Sequence, residues 1–359
     1  MGLFSFLNRN QKSIQQLRKY DFPGGQLEDW DAFIRNAKDH ELYRVNPLYL
    51  AEKLGWSEQQ VLDILALSTA EDLWSLQWDS HCGACGYLVQ SASELSHLHS
   101  HQKCPACGGE GEIQLDQEVI ARASVDEGLR PLDRGRRDDP DFREQVDEKF
   151  GRLPSLHLIN RPLFRTLLGE QVLPPNQSLG VQNLSIFFSD LKQSTRLYQR
   201  LGDARAYELV RAHFDIVFDA VERYGGSAVK TIGDGVMGTF FDSASALQGV
   251  AESVMGLNEL NKEADLSEED SLRLKVGLHT GPCIVVTLNG RLDYFGSTVN
   301  IAARLSDLAQ GGEVIISKKV LDDPEAKSYA GQMKLAQEQL ATLRGVTQAV
   351  EICRLRPEV

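Results

Sequence analysis

Lys230-Thr231-Ile232-Gly233-Asp234-Gly235 puts an aspartate between two glycines where two short apolar runs meet, and it reads as the tight turn of a β-hairpin. Upstream, Leu184 to Ser189 is an apolar strand that runs into a second aspartate, Asp190. If those strands are neighbours, the two carboxylates converge. Paired carboxylates with no base beside them repel unless a cation lies between them, and hard divalent ions such as Mg²⁺ or Mn²⁺ take oxygen ligands. Two such ions about 4 Å apart can activate a hydroxyl and hold a leaving pyrophosphate. An Asp in a glycine turn and an Asp after a strand are also ordinary turn and capping residues, so spacing alone leaves both readings open.

Around this pair the pattern is mixed α and β. A helix is expected from Ala204, with Val210, Phe214, Val217, Phe218 and Val221 on one face, ending at Gly225-Gly226. A second helix spans about Ser243 to Leu260, followed by a strand at Leu272 to Thr280 and another at Cys283 to Leu288. Asn289-Gly290 then joins it to Leu292–Phe295, a strong hairpin signal. Helix Val299–Leu308, strand Val314–Ser317 and a final strand Val350–Leu355 complete the order. In Asp293-Tyr294-Phe295-Gly296-Ser297-Thr298-Val299-Asn300-Ile301-Ala302-Ala303-Arg304, the last helix carries Asn300 and Arg304 four apart on one face. An Arg there can neutralise charge that builds on a phosphoryl group and an Asn can orient a ribose. A surface pair, or an Arg bridging to Asp307, explains the same pattern equally well.

The first half is built differently. From Ser13 to Leu76 the apolar spacing is helical; Gly55 interrupts it, and Ser57 with Gln60 three residues on forms a capping box that starts a second helix. The pair resembles a helix-turn-helix. Its second helix opens with Glu58, Gln59, Gln60 and Asp63, and residues 1 to 130 hold 11 basic against 19 acidic side chains. Phosphate contacts dominate nucleic-acid affinity, so DNA binding is disfavoured. Next, Cys82-Gly83-Ala84-Cys85 and Cys104-Pro105-Ala106-Cys107 are two CxxC knuckles at zinc-ribbon spacing. Four thiolates close a tetrahedral shell around one Zn²⁺ and leave no position for a reactive water, which makes the site structural. His81, His97, His99 or His101 could replace a thiolate, although a His-rich polar loop is the plainer reading, and a dithiol switch is disfavoured by two matched pairs. Asp133 to Glu148 is dense in charge of both signs and reads as a solvated linker or a connecting helix. The segment 155 to 180, with Pro174, Pro175 and Gly180, reads as a docking stretch into the next domain. The expected organisation is a helical module over 13–78, a ribbon with flanking strands over 79–130, a linker over 131–180 and a catalytic domain over 181–359.

The whole chain has 359 residues, 42% hydrophobic content and a net charge of −13. It is long enough for two or three cores, and its charge opposes binding to nucleic acid or anionic lipid. No run approaches the length of a membrane span, and Gly2-Leu3-Phe4-Ser5-Phe6-Leu7 is too short for a signal segment and has Phe6 where a myristoylation pattern needs Ser or Thr. A cytoplasmic location is expected, in which six cysteines serve as ligands, core residues or free thiols.

Phe188-Ser189-Asp190-Leu191, Lys230 through Gly235 and Asp293 through Arg304 resemble, in order and spacing, the motifs of class III adenylyl and guanylyl cyclase catalytic domains. The resemblance covers about residues 182 to 355, and three linked motifs are more specific than any one. It implies an α+β, ferredoxin-like cyclase domain with a mostly antiparallel sheet, which converts ATP to cyclic AMP and pyrophosphate. Asp190 and Asp234 would hold two Mg²⁺ or Mn²⁺ ions with the Leu191 carbonyl. Backbone amides of Gln193, Ser194 and Thr195, near a helix start, would face the triphosphate. Lys230 and Asp293 would read adenine as donor and acceptor, Asn300 the ribose and Arg304 the transition state, and Arg344 in Leu343-Arg344-Gly345 would supply the phosphate-binding cation. The family shares its sites between subunits; this chain carries both halves, which implies a homodimer with the Asn289-Gly290 hairpin at the contact.

Three departures stand out. Gln193 replaces a common Gly and narrows the phosphate loop. Gly235 replaces a usual Ala, with no consequence expected, and Arg344 replaces Lys, which bears on rate more than on identity. The region ahead of residue 181 is similar to the poorly characterised module found before some bacterial cyclases, where a regulatory role is implied. Guanine or pyrimidine specificity, and a nucleotide-sensing domain without turnover, are the alternatives.

Overall fold

A computed structural model describes residues 12–357 apart from 23, 170–172, 175–176, 193 and 289–290. The stretch Gly2–Leu7, Pro175, Gln193 and the Asn289-Gly290 turn, all singled out above, therefore lie outside the described residues. The chain forms two compact units, one of residues 1–180 with Val286–Leu292, the other of Val181–Val285 with Asp293–Val359.

The first unit opens with helices α1 (Gln26–Asn36), α2 (Pro47–Leu54) and α3 (Glu58–Ala70). Gly55 ends α2 with a left-handed φ of 66°, and Ser57 and Gln60 cap α3 reciprocally, as the spacing predicts. The helical pattern does not last to Leu76: β1 (Trp74–His81) starts earlier, because Trp74, Leu76 and Trp78 alternate into the core. β1 lies between β2 (Leu88–Ala92) and β5 (Val119–Val125), and β3 (His101–Lys103) pairs with β4 (Glu110–Glu112) in a separate ribbon. Trp30 stacks on Trp74 at 4.9 Å, and Leu17, Leu42, Leu50, Leu62 and Leu65 fill the surrounding core. α3 is not a free recognition helix. Val61, Leu62, Ile64, Leu65 and Leu67 bury its sides, while His157 contacts Glu58 and Arg161 binds Asp63 with both ends of its fork. The acidic start of this helix is thus consumed by intramolecular partners.

The charged stretch that reads as linker becomes α4 (Pro140–Phe150), and α5 (Ser155–Ile159) and α6 (Pro162–Leu167) follow. One of its charges turns inward. Asp147 accepts from Arg122 Nη1 at 2.8 Å, from Arg122 Nη2, from Arg152 Nε at 3.2 Å and from Asn46 at 3.0 Å. Arg122 also lies 3.6 Å from Asp79, which Arg44 holds at 2.7 Å. Burial works to raise the Asp147 carboxyl, but Arg122 outweighs it and holds the group below the ordinary aspartate range. Stability from this group is therefore present at neutral pH and is lost as the pH falls through its folded-state value. Asp147→Ala would strip buried Arg122 of both its hydrogen bonds and leave it only the longer contact with Asp79, at a cost of about 3 kcal/mol. All four tryptophans lie in this unit, so urea unfolding followed by tryptophan fluorescence reports on it directly. A change below about 1 kcal/mol would show that water, not the protein, screens Arg122.

The second unit contains β6 (Ser178–Leu191), which starts three residues inside the first unit, then α7 (Ser194–Leu201), α8 (Asp203–Arg223), β7 (Ser227–Ile232), β8 (Gly235–Phe240) and α9 (Ser243–Glu263). β9 (Leu274–Leu288), β10 (Arg291–Phe295), α10 (Ser297–Leu308), β11 (Glu313–Ser317), α11 (Pro324–Ala330), β12 (Lys334–Ala341) and β13 (Val350–Arg356) complete it, β9 and β10 crossing the boundary at their hairpin ends. The strands form one sheet in the order β12-β13-β11-β9-β6-β8-β7, with β10 on β9. The β6–β8, β7–β8, β11–β13 and β12–β13 pairs are antiparallel and β9–β11 is parallel. This is the α+β arrangement expected. Two expected strands after Leu272 are one continuous β9, and α7 and β12 are elements the pattern does not announce. The core lies between the sheet and α8 and α9, around Phe187, Phe240, Leu247 and Val250. α10 rests on β9 so closely that a Cβ at Gly277 would meet the Ser306 amide nitrogen at 2.1 Å.

Candidate active site

The two aspartates come to the same end of the sheet. β6 and β8 run antiparallel with Ser189 opposite Val236, so Asp190 lies just beyond that pair on one strand and Asp234 just before it in the hairpin. The hairpin closes between Ile232 and Gly235, and Gly233 takes a left-handed φ of 63°. Gly235 is not a neutral replacement for Ala: a Cβ there would sit 2.4 Å from the Ser189 carbonyl oxygen. The strands carrying the two carboxylates approach more closely than a side chain permits. Asp234 Oδ2 is buried with no hydrogen-bond partner, a costly state for a carboxylate oxygen and one that a hard cation relieves. The residues present therefore fit a divalent ion.

Lys275, which the sequence reading does not select, pairs its ammonium with Asp190. The available signal is a lone lysine between the buried Leu274 and Val276 of β9. Beyond Asp190, Leu191 is buried, and the Lys192 amide donates to the Arg273 carbonyl at 2.9 Å. Ser194 begins α7, with Thr195 in its first turn. Lys192, Arg196 and Arg273 line a cleft of roughly 220 Å³ beside the loop where triphosphate amides are expected, and Glu268, Glu269 and Asp270 line it too, so cations and carboxylates share it in equal number.

Lys230 and Asp293 also meet. The ammonium pairs with Asp293 Oδ2, while Oδ1 accepts from the Tyr294 amide at 2.9 Å. Asp293 is almost wholly buried and Lys230 is exposed, which leaves a buried acceptor beside a solvent-facing donor. Asn300 and Arg304 both lie on the exposed side of α10, and Arg304 bonds Asp307 at 2.9 Å, the plain surface pairing that the pattern also allows. Arg344 is exposed in the turn after β12, anchored by buried Leu343 and by Gly345 at φ 82°.

Residues 177–350 match the family described as the adenylate and guanylate cyclase catalytic domain. This stretch is a class III cyclase catalytic domain. Residues 9–145 match a family of unknown function, DUF5939. The cyclase domain is 33% identical over 175 residues to adenylate cyclase 2 of Rhizobium meliloti, covering 46% of this chain and 47% of that one. It is 32% identical over 168 residues to an adenylate cyclase of Lachancea kluyveri, covering 42% of this chain and 9% of the relative. The chain thus spans less than half the length of these curated relatives. Among solved structures it is similar to the adenylyl cyclase CyaB from P. aeruginosa, at 22% identity and a TM-score of 0.44, covering 51% of this chain and 97% of that one.

Separate from the cyclase domain, Cys82, Cys85, Cys104 and Cys107 bring their sulfurs within 4.8 Å of one another. Cys82 and Cys107 are 3.7 Å apart, and Cys85 and Cys104 are 3.6 Å apart. A tetrahedron with metal–sulfur bonds of about 2.3 Å has edges of about 3.8 Å, whereas a disulfide requires about 2.05 Å. The four thiols thus fit one metal ion. The backbone amides of Cys107 and Ala106 help draw the Cys104 thiol down to about 7, whereas, against the pull of the Tyr87 backbone, the neighbouring sulfurs push Cys85 up to about 12; the thiols alone would not all ionise together, and a bound cation would favour that state. His97 and His101 instead stand exposed beside Glu94 and Glu110. No helix among the described residues is long and apolar enough to cross a membrane.

Proposed function

We propose that the chain is an adenylyl cyclase, forming cyclic AMP and pyrophosphate from ATP. The observation that carries this reading is the Lys230–Asp293 pair. Adenine presents a ring nitrogen acceptor beside an amino donor, which matches a lysine donor beside a carboxylate acceptor; guanine presents the opposite polarity. The pair opens to admit the base, and the backbone bond to Oδ1 keeps Asp293 in place while it does so.

Asp190, Asp234 and the Leu191 carbonyl would hold the divalent ions. When bound, Mg²⁺ or Mn²⁺ supplies Lewis acidity to the ribose 3′-hydroxyl and to the α-phosphate, and neutralises charge on the leaving pyrophosphate. The protein's own part is positional. Lys275 gives up Asp190 when a cation arrives, and Lys192, Arg196 and the amides at the start of α7 face the triphosphate. Asn300, Arg304 and Arg344 complete the site of a second copy, Asn300 holding the ribose and Arg304 countering charge at the α-phosphate.

A homodimer is supported by apolar side chains that stand in solvent beside the site residues: Ile232 next to the Gly233-Asp234 turn, Phe295 next to Asp293, and Ile284 on β9. Large apolar side chains left in solvent beside site residues favour a partner that covers them. In the first unit, Cys82, Cys85, Cys104 and Cys107 would hold one structural Zn²⁺, with a regulatory role for the module that contains it. The test is a product assay of the purified chain with Mn²⁺ and ATP, GTP, CTP or UTP at several protein concentrations. Cyclic AMP is the expected main product, with specific activity rising as the dimer forms. A preference for GTP would remove the assignment of Lys230 and Asp293.

A further inference from the structure

α7 is about two turns long, too short to be stable on helix propensity alone, so its placement depends on partners outside it. Leu197 anchors it in the core, and Tyr198 and Leu201 pack there only in part. It meets α8 at Gly202, whose left-handed φ of 77° makes a joint and not a continuous helix. The direction of α7 is therefore not set by α8.

One loop holds both ends of it. Arg200, near the C-terminus of α7, places Nε 2.6 Å from Asp270 Oδ1, donates from Nη2 to Oδ2 at 3.3 Å and also pairs with Glu269. Just ahead of α7, the Lys192 amide donates to the Arg273 carbonyl at 2.9 Å. The loop is itself fixed. Ser267 Oγ donates to Asp270 Oδ2 at 2.6 Å, and Asn261 of α9 accepts from the Leu272 amide at 2.7 Å and donates to the Leu272 carbonyl at 2.8 Å. Leu272 is buried in the same core as Leu197. Of the two acidic partners, Glu269 is largely in solvent, where an ion pair contributes little, whereas Asp270 is mostly covered and braced by Ser267.

We infer that Arg200 is a positioning residue for the triphosphate: by tying the far end of α7 to Asp270, it sets where the amides at the start of the helix point. This inference rests on the reading that those amides face the triphosphate. Arg200 sits about 9 Å along the helix axis from Ser194, and its guanidinium is engaged by the loop, so it acts through the helix and not on the phosphates. A tilt of α7 would weaken contacts that ground state and transition state share, which raises KM and leaves kcat nearly unchanged.

The experiment uses the full chain, with ATP kinetics at saturating Mn²⁺ and calorimetric binding of inorganic tripolyphosphate in excess Mg²⁺. Arg200→Ala is expected to raise KM for ATP about 10-fold, with kcat within about twofold, and to weaken tripolyphosphate binding by a similar factor. Asp270→Ala should raise KM as well, and the double variant no further than the larger single effect, because the two residues act as one tie. Arg200→Lys, which keeps the charge but not the planar fork, should fall between R200A and the parent. Arg205→Ala, at an exposed arginine of α8 paired with Glu208, is the control and should keep the parental KM. If tripolyphosphate does not bind the parental chain, the triphosphate reading of α7 itself fails. If it binds the parent and R200A equally, or if R200A lowers kcat or melting temperature with KM unchanged, the positioning role of Arg200 is overturned. A KM lowered in D270A would overturn it too, since the carboxylate would then act by repelling ATP and not by placing the helix.

Discussion

Alanine at Asp190 or at Asp234 is expected to lower Mn²⁺-dependent cyclic AMP formation by on the order of 10³-fold or more, since each removes several kcal/mol of charge stabilisation in the transition state. The two variants should differ in stability. Asp190 is the partner of Lys275, so D190A leaves that ammonium facing the site and adds a repulsion to any arriving ion. Asp234 Oδ2 has no partner to lose, and D234A removes a buried acceptor that the fold itself does not satisfy. D234A should therefore melt at or above the parental temperature although it is inactive, the separation expected where a site is kept at the expense of stability. Retention of more than a tenth of the parental rate in either variant would dismiss the pair as cation ligands.

Cys104→Ser is expected to have the largest structural effect. The ribbon has little else to hold it: β3 and β4 are three residues each, and most side chains from Gly83 to Ser91 and from His99 to Glu112 are at least partly exposed. Cys82, Leu95, Leu98, Cys104 and Ile113 make up its small buried centre. Segments so poor in core fold on metal, with apparent binding free energies of about 10–16 kcal/mol in isolated zinc-finger peptides. The parental chain should carry one zinc per chain by elemental analysis, and C104S close to none. C104S should also be cut by trypsin at Lys103, a bond that the parent protects. A metal-free parent with an intact ribbon would refute the structural zinc.

Much of this was legible because local chemistry and tertiary need agree. The Ser57–Gln60 box, the Gly233-Asp234 turn and the shared helix of Asn300 and Arg304 are all set by neighbours in sequence, and each appears at its expected place. What escaped depends on distant partners. β12 has the polar sequence Lys-Leu-Ala-Gln-Glu-Gln-Leu-Ala and owes its conformation to pairing with β13 at the sheet edge. Asp147 looked like one charge among many until Arg122, on a strand of the core, gave it a reason to be buried. Lys275 was hidden for the converse reason: it is a single polar residue in an apolar stripe, and only the fold shows that its ammonium faces Asp190. Gly235 was read as an incidental exchange because the closeness of Ser189 is invisible in one dimension.

Val286–Leu292 folds with the first unit although the chain on either side belongs to the second. The Arg165 guanidinium donates to the Leu292 carbonyl, and Leu292 is almost wholly buried. Scissors placed at Gly180 would consequently not yield two self-sufficient pieces. A fragment starting at Val181 would keep this loop but lose its bedding, so a low output from such a truncation would speak first of a damaged hairpin beside Asp293 and only then of a lost activator.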